Sequence, residues 1–458
     1  MLVRLDLPAR RITVLGGLLL ALAGGVPASA SAGGLAALQA DLGRQMSIAG
    51  PYDGAYAYDL TARQTLFSER ATVARPPASV EKLYTATTAL ELMGSGARLS
   101  TTVLGVGHLA PGGVWEGSLY LRGGGDPTFG STSFIRSNYG GVGASVSRVS
   151  EQLVKVDGIH RVTGAIEGDE SYLDSLRGEP SSGYAPDPYL EGTLSGLAFN
   201  RGESGSEGGP HAPAAYAARQ LWASLRADGV SIHGPTGAAQ TPVGATQLAQ
   251  VQSPTLAELL GLMLPPSDNF FAETLIKDLG RRFGGGGTTA AGATVVRKTI
   301  ASVFGLHPQI VDGSGLSEVD HTSPQQVADL LIALAGTPLG TVLRERLAVA
   351  GRSGTLALRM RGTGAAGRCQ AKTGTLTGVS NLAGYCRAAN GHLLVFAVFT
   401  DGVSIEFAHT VQDHVAITLA DSSDGLTAAP LQAGAPVAAA PNTGAASARA
   451  ARAGRPRR

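Results

Sequence analysis

The chain has 458 residues, enough for two or three domains, and its formal net charge is only +1. Hydrophobic residues make up 43% of it and charged residues 16%, which is typical of a globular protein and not of a disordered one. A leader (residues 1–32) with a charge of +2 and a tail (residues 425–458) with +5 leave −6 on the body. Such an acidic body argues against nucleic acid as the main partner.

The leader is predicted to be a secretory signal peptide. Three arginines and one aspartate in the first eleven residues precede an uncharged run, 12–25, and small residues at 28–32 offer cleavage sites. The run is short for a membrane span, and an uncleaved anchor is the alternative interpretation. We therefore expect export, either to the periplasm or to the extracellular side of the envelope.

The body has helical and strand-like sequence at 33–99 and 254–424, separated by a segment at 100–253 with short β-like runs. We interpret the middle segment as an inserted β-rich domain, interrupted by a helical island at 214–227. The run Leu393–Phe399 is wholly apolar and is predicted to be a central strand. Further strands are predicted at 55–60, 65–67, 368–373 and 379–387, and helices at 79–94, 255–260, 269–280, 291–304 and 404–419.

The tail is rich in Ala, Pro and Gly, has five arginines and no acidic residue, and shows no periodicity. It has little to bury, so it is predicted to be disordered. It could make weak contact with anionic envelope polymers, although a solvated tail without function is the alternative.

The first chemical signal is Ser79 followed three residues later by Lys82, at a predicted helix start. Residues three apart share one helix face, so hydroxyl and amine can meet. That pair is the minimum for covalent catalysis, a nucleophile beside a group that takes its proton. Alone, however, Ser-x-x-Lys is common by chance.

Two further motifs follow in the chain. Ser267-Asp268-Asn269 precedes a predicted helix, and Lys372-Thr373-Gly374-Thr375 ends a predicted strand. Each alone would be an ordinary cap or turn. Together with Ser-x-x-Lys, in this order, they form the motif set of β-lactamases and penicillin-binding proteins.

The sequence resembles the D-alanyl-D-alanine carboxypeptidase/endopeptidases among the class C low-molecular-mass penicillin-binding proteins. The resemblance covers roughly residues 34–419. Besides the three motifs it includes Leu121–Thr128 with its Gly-Gly-Asp-Pro run, Asp312–Ser317 with Asp-Gly-Ser-Gly-Leu, and three later segments, Leu347–Gly351, Gly354–Leu356 and Ala371–Ser380.

The chain departs from that family at two points. Glu318 and Asp320 stand where the family usually has arginine and asparagine, which puts details of that loop in doubt. Ser267 follows Ser79 after 188 residues, a short spacing for the family, so a further small domain nested in the insert is expected to be reduced or absent.

The resemblance implies an α/β (α+β) fold: a transpeptidase-like domain, with an antiparallel sheet flanked by helices, that carries the β-rich insert. It implies a serine peptidase acting on peptidoglycan stem peptides, with penicillins as covalent inhibitors. Ser79 would be the nucleophile, Lys82 the base and Ser267 a proton carrier. Asn269 would bind the substrate backbone.

The Lys-Thr-Gly segment would bind the other end of the substrate. Lys372, Thr373 and Thr375 would hold its terminal carboxylate, with Gly374 between them. The backbone N–H groups of Ser79 and Thr375 would form the oxyanion hole, as the family resemblance implies.

Two alternatives remain at this stage: a β-lactamase-like hydrolase, and a non-catalytic peptidoglycan-binding protein. The nearest match to a Glu-x-x-Leu-Asn deacylation motif, Glu191–Ser195, lacks the asparagine, which favours a peptidase. The nine histidines show no metal-ligand spacing, and we expect neither metal nor cofactor.

Cys369 and Cys386 are the only cysteines in the chain. They are symmetric about the turn at Thr377-Gly378, so they would face each other across a hairpin. In an exported protein such a pair predicts a disulfide, and two free buried thiols are the alternative.

Overall fold

The computed structural model describes residues 28–202 and 212–423. Residues 1–27 of the predicted signal peptide and the whole predicted tail lie outside these ranges, and residues 28–32 form the start of the first helix. The α-helices are α1 (Ala28–Ala49), α2 (Lys82–Met93), α3 (Thr132–Tyr139), α4 (Val146–Lys155), α5 (Pro213–Ala227), α6 (Leu256–Met263), α7 (Asn269–Phe283), α8 (Thr289–Phe304), α9 (Pro324–Leu334), α10 (Pro338–Glu345) and α11 (Ile405–Asp421).

The strands build two sheets. They are β1 (Gly54–Asp59), β2 (Gln64–Glu69), β3 (Ser100–Ala110), β4 (Val114–Arg122), β5 (Arg161–Val162), β6 (Ile166–Asp169), β7 (Ser231–Ile232), β8 (Thr236–Ala238), β9 (Thr246–Gln252), β10 (Ala348–Val349), β11 (Cys369–Leu376), β12 (Val379–Arg387) and β13 (Leu393–Asp401).

The first sheet has six strands in the order β10-β11-β12-β13-β1-β2, and all its neighbours are antiparallel. The apolar strand β13 lies inside it, as its sequence predicted. Alternate side chains of β13 enter different cores: Val395 and Phe399 pack with α2, α7 and α9, whereas Phe396 and Val398 pack with α1 and α11. Because both faces are covered by helices, no position along β13 needs a polar residue.

The insert leaves the body after α2 and returns before α6. Its entry strand β3 and exit strand β9 are antiparallel neighbours, with Ser100 opposite Gln252. Its seven-stranded sheet has the order β7-β5-β4-β3-β9, with β6 between β4 and β8, and it packs with α4 and α5 around a core of its own.

The insert contains more helix than the sequence analysis foresaw. Helices α3 and α4 were not predicted, although Val149 and Leu153 of α4 are buried at helical spacing. Several of its strand pairs, including β4-β5 and β4-β6, are parallel. Within the described ranges no single helix is long and apolar enough to cross a membrane; α9 and α10 pass that test only as a pair bent by 118°.

Candidate active site

Ser79 lies in a 3-10 turn, Ala78–Glu81, that leads directly into α2. Ala78 has a φ of 47°, a left-handed conformation that costs energy for a residue with a side chain. Strand β11 presses against this turn at Gly374, where an added Cβ would lie 2.4 Å from the Pro77 carbonyl oxygen. The glycine of Lys-Thr-Gly therefore allows the catalytic strand to approach Ser79.

The Lys82 amine is completely buried and makes three hydrogen bonds. Its Nζ donates to Ser79 Oγ at 2.8 Å, to Asn269 Oδ1 at 2.7 Å and to the Ser314 carbonyl at 2.7 Å. Burial lowers the pKa of Lys82 from 10.5 to about 8, against the opposing effect of nearby carboxylates such as Glu81. A substantial neutral fraction at mildly alkaline pH suits a base next to a hydroxyl.

Two carboxylates fix the backbone that carries the Ser314 carbonyl. Glu273 Oε1 accepts the backbone N–H groups of Gly313 and Ser314, each at 2.8 Å. Asp312 Oδ1 accepts those of Ser314 and Gly315, at 3.1 and 2.6 Å. Because Glu273 stands one helical turn after Asn269 on α7, one helix fixes two of the three partners of Lys82.

Four buried carboxyl groups surround this loop: Glu81, Glu273, Asp312 and Asp320. Burial, and next the charge of Asp312, raises the pKa of Glu81, Glu273 and Asp320 above their ordinary values. In the part of the chain that the structure describes, no group of three or more His, Cys, Asp or Glu side chains is arranged to hold a metal ion. Three of these carboxyl groups, Glu81, Asp312 and Glu273, act on the charge of Lys82.

Lys372 is also completely buried and points at the second serine. Its Nζ donates to Ser267 Oγ and to the Thr373 carbonyl, both at 2.8 Å. Burial, and then the charge of Lys82, lowers the pKa of Lys372 well below 10.5. Ser267 has a φ of 69°, a left-handed conformation that places its hydroxyl at the junction of α6 and α7.

The substrate-binding residues predicted on β11 lie side by side. Thr373 is largely buried, and its hydroxyl donates to Thr355 Oγ1 at 2.8 Å. Thr375 is exposed and pairs with Ser380 of β12. A ligand could thus reach Thr375 from solvent.

Hydrogen bonds to both the oxygen and the nitrogen of its side-chain amide orient Asn269. Its Oδ1 accepts from Lys82, and its Nδ2 donates to the Tyr189 carbonyl at 2.8 Å. The preceding residue, Asp268, caps α7 and forms a bidentate ion pair with Arg201, at 2.7 and 2.9 Å. The insert thus contributes a cation that anchors the Ser-Asp-Asn motif.

The chain matches the D-Ala-D-Ala carboxypeptidase 3 (S13) family over residues 35–187 and 208–422. It belongs to this family. It is 29% identical to the D-alanyl-D-alanine carboxypeptidase of Actinomadura sp. strain R39, over 87% of this chain and 88% of that protein. It is 31% identical to carboxypeptidase DacB of Mycolicibacterium smegmatis, over 73% of each chain.

The crystal structure of penicillin binding protein 4 from Haemophilus influenzae superposes with a TM-score of 0.65 at 21% identity, covering 83% of this chain and 97% of that one. The resemblance found in the sequence and the predicted fold class are confirmed. The protein is a serine-type D-Ala-D-Ala carboxypeptidase with the penicillin-binding fold, and the β-lactamase and non-catalytic alternatives are not favoured.

The structure of this carboxypeptidase brings Ser79, Lys82 and Asn269 into one hydrogen-bonded group, and Ser267 and Lys372 into a second. The two lysines are close enough for the charge of one to affect the pKa of the other. Glu191, the remaining candidate for deacylation, has a side chain that is 68% exposed and lies 3.6 Å from Arg201.

Sequence reasoning about the carboxypeptidase missed the Ser314 carbonyl, Glu273 and Arg201. The Asp-Gly-Ser-Gly-Leu segment was noted, but nothing in it indicated that a backbone oxygen binds Lys82. The spacing of Glu273 from Asn269 on one predicted helix was a usable signal. Arg201 lies far along the chain from the three motifs, and nothing in the sequence around it indicated a role in the site.

Cys369 and Cys386 of the carboxypeptidase are opposite each other on β11 and β12 and are joined by a disulfide, with Cα atoms 4.1 Å apart. The bond lies three residues before Lys372, so it ties the catalytic strand to its neighbour.

Proposed function

We propose that the enzyme removes the terminal D-alanine from peptidoglycan stem peptides through an acyl-enzyme on Ser79. The observation that carries this proposal is the 2.8 Å hydrogen bond between Ser79 Oγ and a buried Lys82. The leader's residue pattern, together with the family's action on D-Ala-D-Ala, supports export to the envelope, where peptidoglycan is assembled.

In the acylation step, neutral Lys82 takes the proton of Ser79 while Oγ attacks the carbonyl of the penultimate D-alanine. The new Oγ–C bond gives a tetrahedral oxyanion, held by the backbone N–H groups of Ser79 and Thr375. Removing a single oxyanion donor typically costs about 3 kcal/mol of transition-state stabilisation. The C–N bond then breaks, and a proton delivered by Lys82 or through Ser267 lets D-alanine leave as an amine.

The terminal carboxylate of the substrate would lie against Lys372, Thr373 and Thr375. An anion there stabilises the charged form of Lys372. A charged Lys372 in turn disfavours a second charge on Lys82, because the two like charges repel. Substrate binding would thus help keep the base neutral at the moment when it must accept a proton.

Water completes the cycle by attacking the ester carbonyl, with Lys82 taking its proton and Ser79 recovering its own. Asn269 would align the substrate backbone through its side-chain amide. A penicillin would enter by the same route, its lactam C–N bond breaking as the Ser79 ester forms. The Glu191 side chain is exposed, and the segment Glu191–Ser195 lacks the asparagine of the Glu-x-x-Leu-Asn deacylation motif. Both observations support slow release of that ester.

The test combines two substrates. The wild-type protein is incubated with fluorescent penicillin and, separately, with a peptide ending in D-Ala-D-Ala; we expect a lasting label and released D-alanine. Rapid loss of label would indicate a β-lactamase. Equal labelling or equal D-alanine release in Ser79→Ala and wild type would overturn the role of Ser79, and absence of both in the wild type would overturn the function.

A further inference from the structure

A cavity of about 510 Å³ lies where the insert meets the C-terminal end of α7. Three arginines, Arg122, Arg281 and Arg282, line it together with hydroxyl and amide side chains. It contains none of the residues in the three catalytic motifs. Its chemistry is that of a binding site for a polar ligand with an anionic group.

The arginines that line this cavity outnumber its carboxylates. Arg282 is paired with the buried Asp278, at 2.8 Å. Within the described ranges, Arg122 and Arg281 are exposed and have no carboxylate within ion-pair distance. The one carboxylate in the wall, Asp169, already accepts hydrogen bonds from Ser171 and Thr241. The guanidinium groups of Arg122 and Arg281 therefore have N–H donors available for a ligand in the cavity.

The wall that carries Arg122 is the Gly-Gly-Asp-Pro segment, which the catalytic proposal leaves unused. A Cβ on Gly123 would lie 1.9 Å from the Gly196 carbonyl oxygen, and one on Gly124 would lie 2.4 Å from that of Ser100. Positions 123 and 124 must therefore be glycine for the segment to pass between these backbones. The close packing fixes the position from which Arg122 reaches the cavity.

The cavity and the catalytic group lie at the two ends of α7. Arg281 follows Asn269 by twelve residues, about 18 Å along the axis at 1.5 Å per residue. The insert segment 172–189 follows the helix between them: Tyr172 bonds Asp278 at one end, and the Tyr189 carbonyl bonds Asn269 at the other. About four extended stem residues, at roughly 3.5 Å each, cover about 14 Å of this distance, and the sugar attached beyond them extends the ligand over the remainder.

We propose that this cavity binds the junction of a peptidoglycan fragment, an N-acetylated sugar together with the free carboxylate of the acidic stem residue beside it. This rests on the proposed action on stem peptides. Arg122 and Arg281 bind the carboxylate. The amides of Gln240, Gln247 and Gln250 and the hydroxyl of Thr102 bind the sugar's hydroxyl and acetamido groups. These neutral groups outnumber the unpaired cations, which favours a sugar over a polyphosphate.

The test compares two substrates on the full enzyme. A short acetylated tripeptide ending in D-Ala-D-Ala occupies only the catalytic site, whereas a disaccharide-pentapeptide spans both sites. In the double variant Arg122→Ala/Arg281→Ala we expect KM for the disaccharide-pentapeptide to rise by about tenfold, the effect of about 1.4 kcal/mol of lost binding. Its kcat, and both constants for the tripeptide, stay unchanged. Arg148→Ala, which removes an exposed arginine of α4, is the matched control and leaves all four constants unchanged.

A direct binding measurement separates this proposal from the catalytic one. Calorimetry on Ser79→Ala with the disaccharide-pentapeptide, with the acetylated tripeptide and with a glycerol phosphate oligomer needs no turnover. Tighter binding of the saccharide ligand than of the tripeptide, lost in the Arg122/Arg281 double variant, supports the site even if the wild type releases no D-alanine. Equal affinity for the disaccharide-pentapeptide and the tripeptide overturns it. Loss of binding in the double variant only for the phosphate oligomer also overturns it.

Discussion

The rate of acylation of Ser79 should depend on pH through the protonation of Lys82. Burial lowers the pKa of Lys82 to about 8, so about a tenth of the molecules have a neutral base at pH 7, half at pH 8 and nine tenths at pH 9. If only the neutral amine takes the Ser79 proton, the second-order rate constant rises about fivefold from pH 7 to pH 8 and levels off above pH 9.

The assay measures the second-order rate of labelling by fluorescent penicillin between pH 6 and 10 at constant ionic strength, with circular dichroism as a check that the protein stays folded. Lys372→Arg identifies the titrating group, because an arginine stays charged across this range. A transition that belongs to Lys82 survives in this variant and moves to lower pH, since a fixed neighbouring cation disfavours a second charge.

Two results would contradict the role of Lys82 as the base. A rate that is flat from pH 6 to 9, or that falls as pH rises through 8, would mean that the neutral amine of Lys82 is not the base. Loss of the transition in Lys372→Arg would assign it to Lys372. The shape of the profile decides, whatever the absolute rate of the variant.

Three further predictions concern the surroundings of Ser79. Glu273→Ala removes the acceptor that fixes the Ser314 loop, and we expect penicillin labelling to slow about tenfold while Glu273→Gln keeps most of the rate; equal rates in the two variants would contradict this. Gly374→Ala forces a Cβ against the Ser79 turn and should slow labelling about a hundredfold; a wild-type rate would contradict the tight approach. The disulfide between Cys369 and Cys386 closes a 17-residue separation, so its reduction should lower the free energy of unfolding by about 3 kcal/mol in urea denaturation; mass spectrometry that finds both thiols free in the oxidised protein would contradict the bond itself.

Periodicity was sufficient for the central strands of the six-stranded sheet, whereas helices α9 and α10 were not predicted. The apolar run of β13 predicted a central strand, and its neighbours β1 and β12 were predicted with bounds close to those observed. Helix α4 was missed because its polar residues resembled the β-like sequence around it, although the spacing of Val146, Val149 and Leu153 is helical.

The candidate site was predictable as a set of side chains but not as a set of backbone positions. Ser79, Lys82 and Asn269 carry chemical groups that a motif records. The Ser314 carbonyl does not, because every residue has one. The left-handed backbone at Ala78 and Ser267 was equally hidden, since neither residue type favours positive φ and tertiary contacts must impose it.

Mapping the penicillin adduct on the protein identifies the nucleophile. The enzyme is acylated with a penicillin, digested, and its peptides are sequenced by tandem mass spectrometry. We expect one modified peptide, with the added mass on Ser79, and no adduct after the same treatment of Ser79→Ala. An adduct on Ser267 or elsewhere, or one that persists in Ser79→Ala, would contradict it.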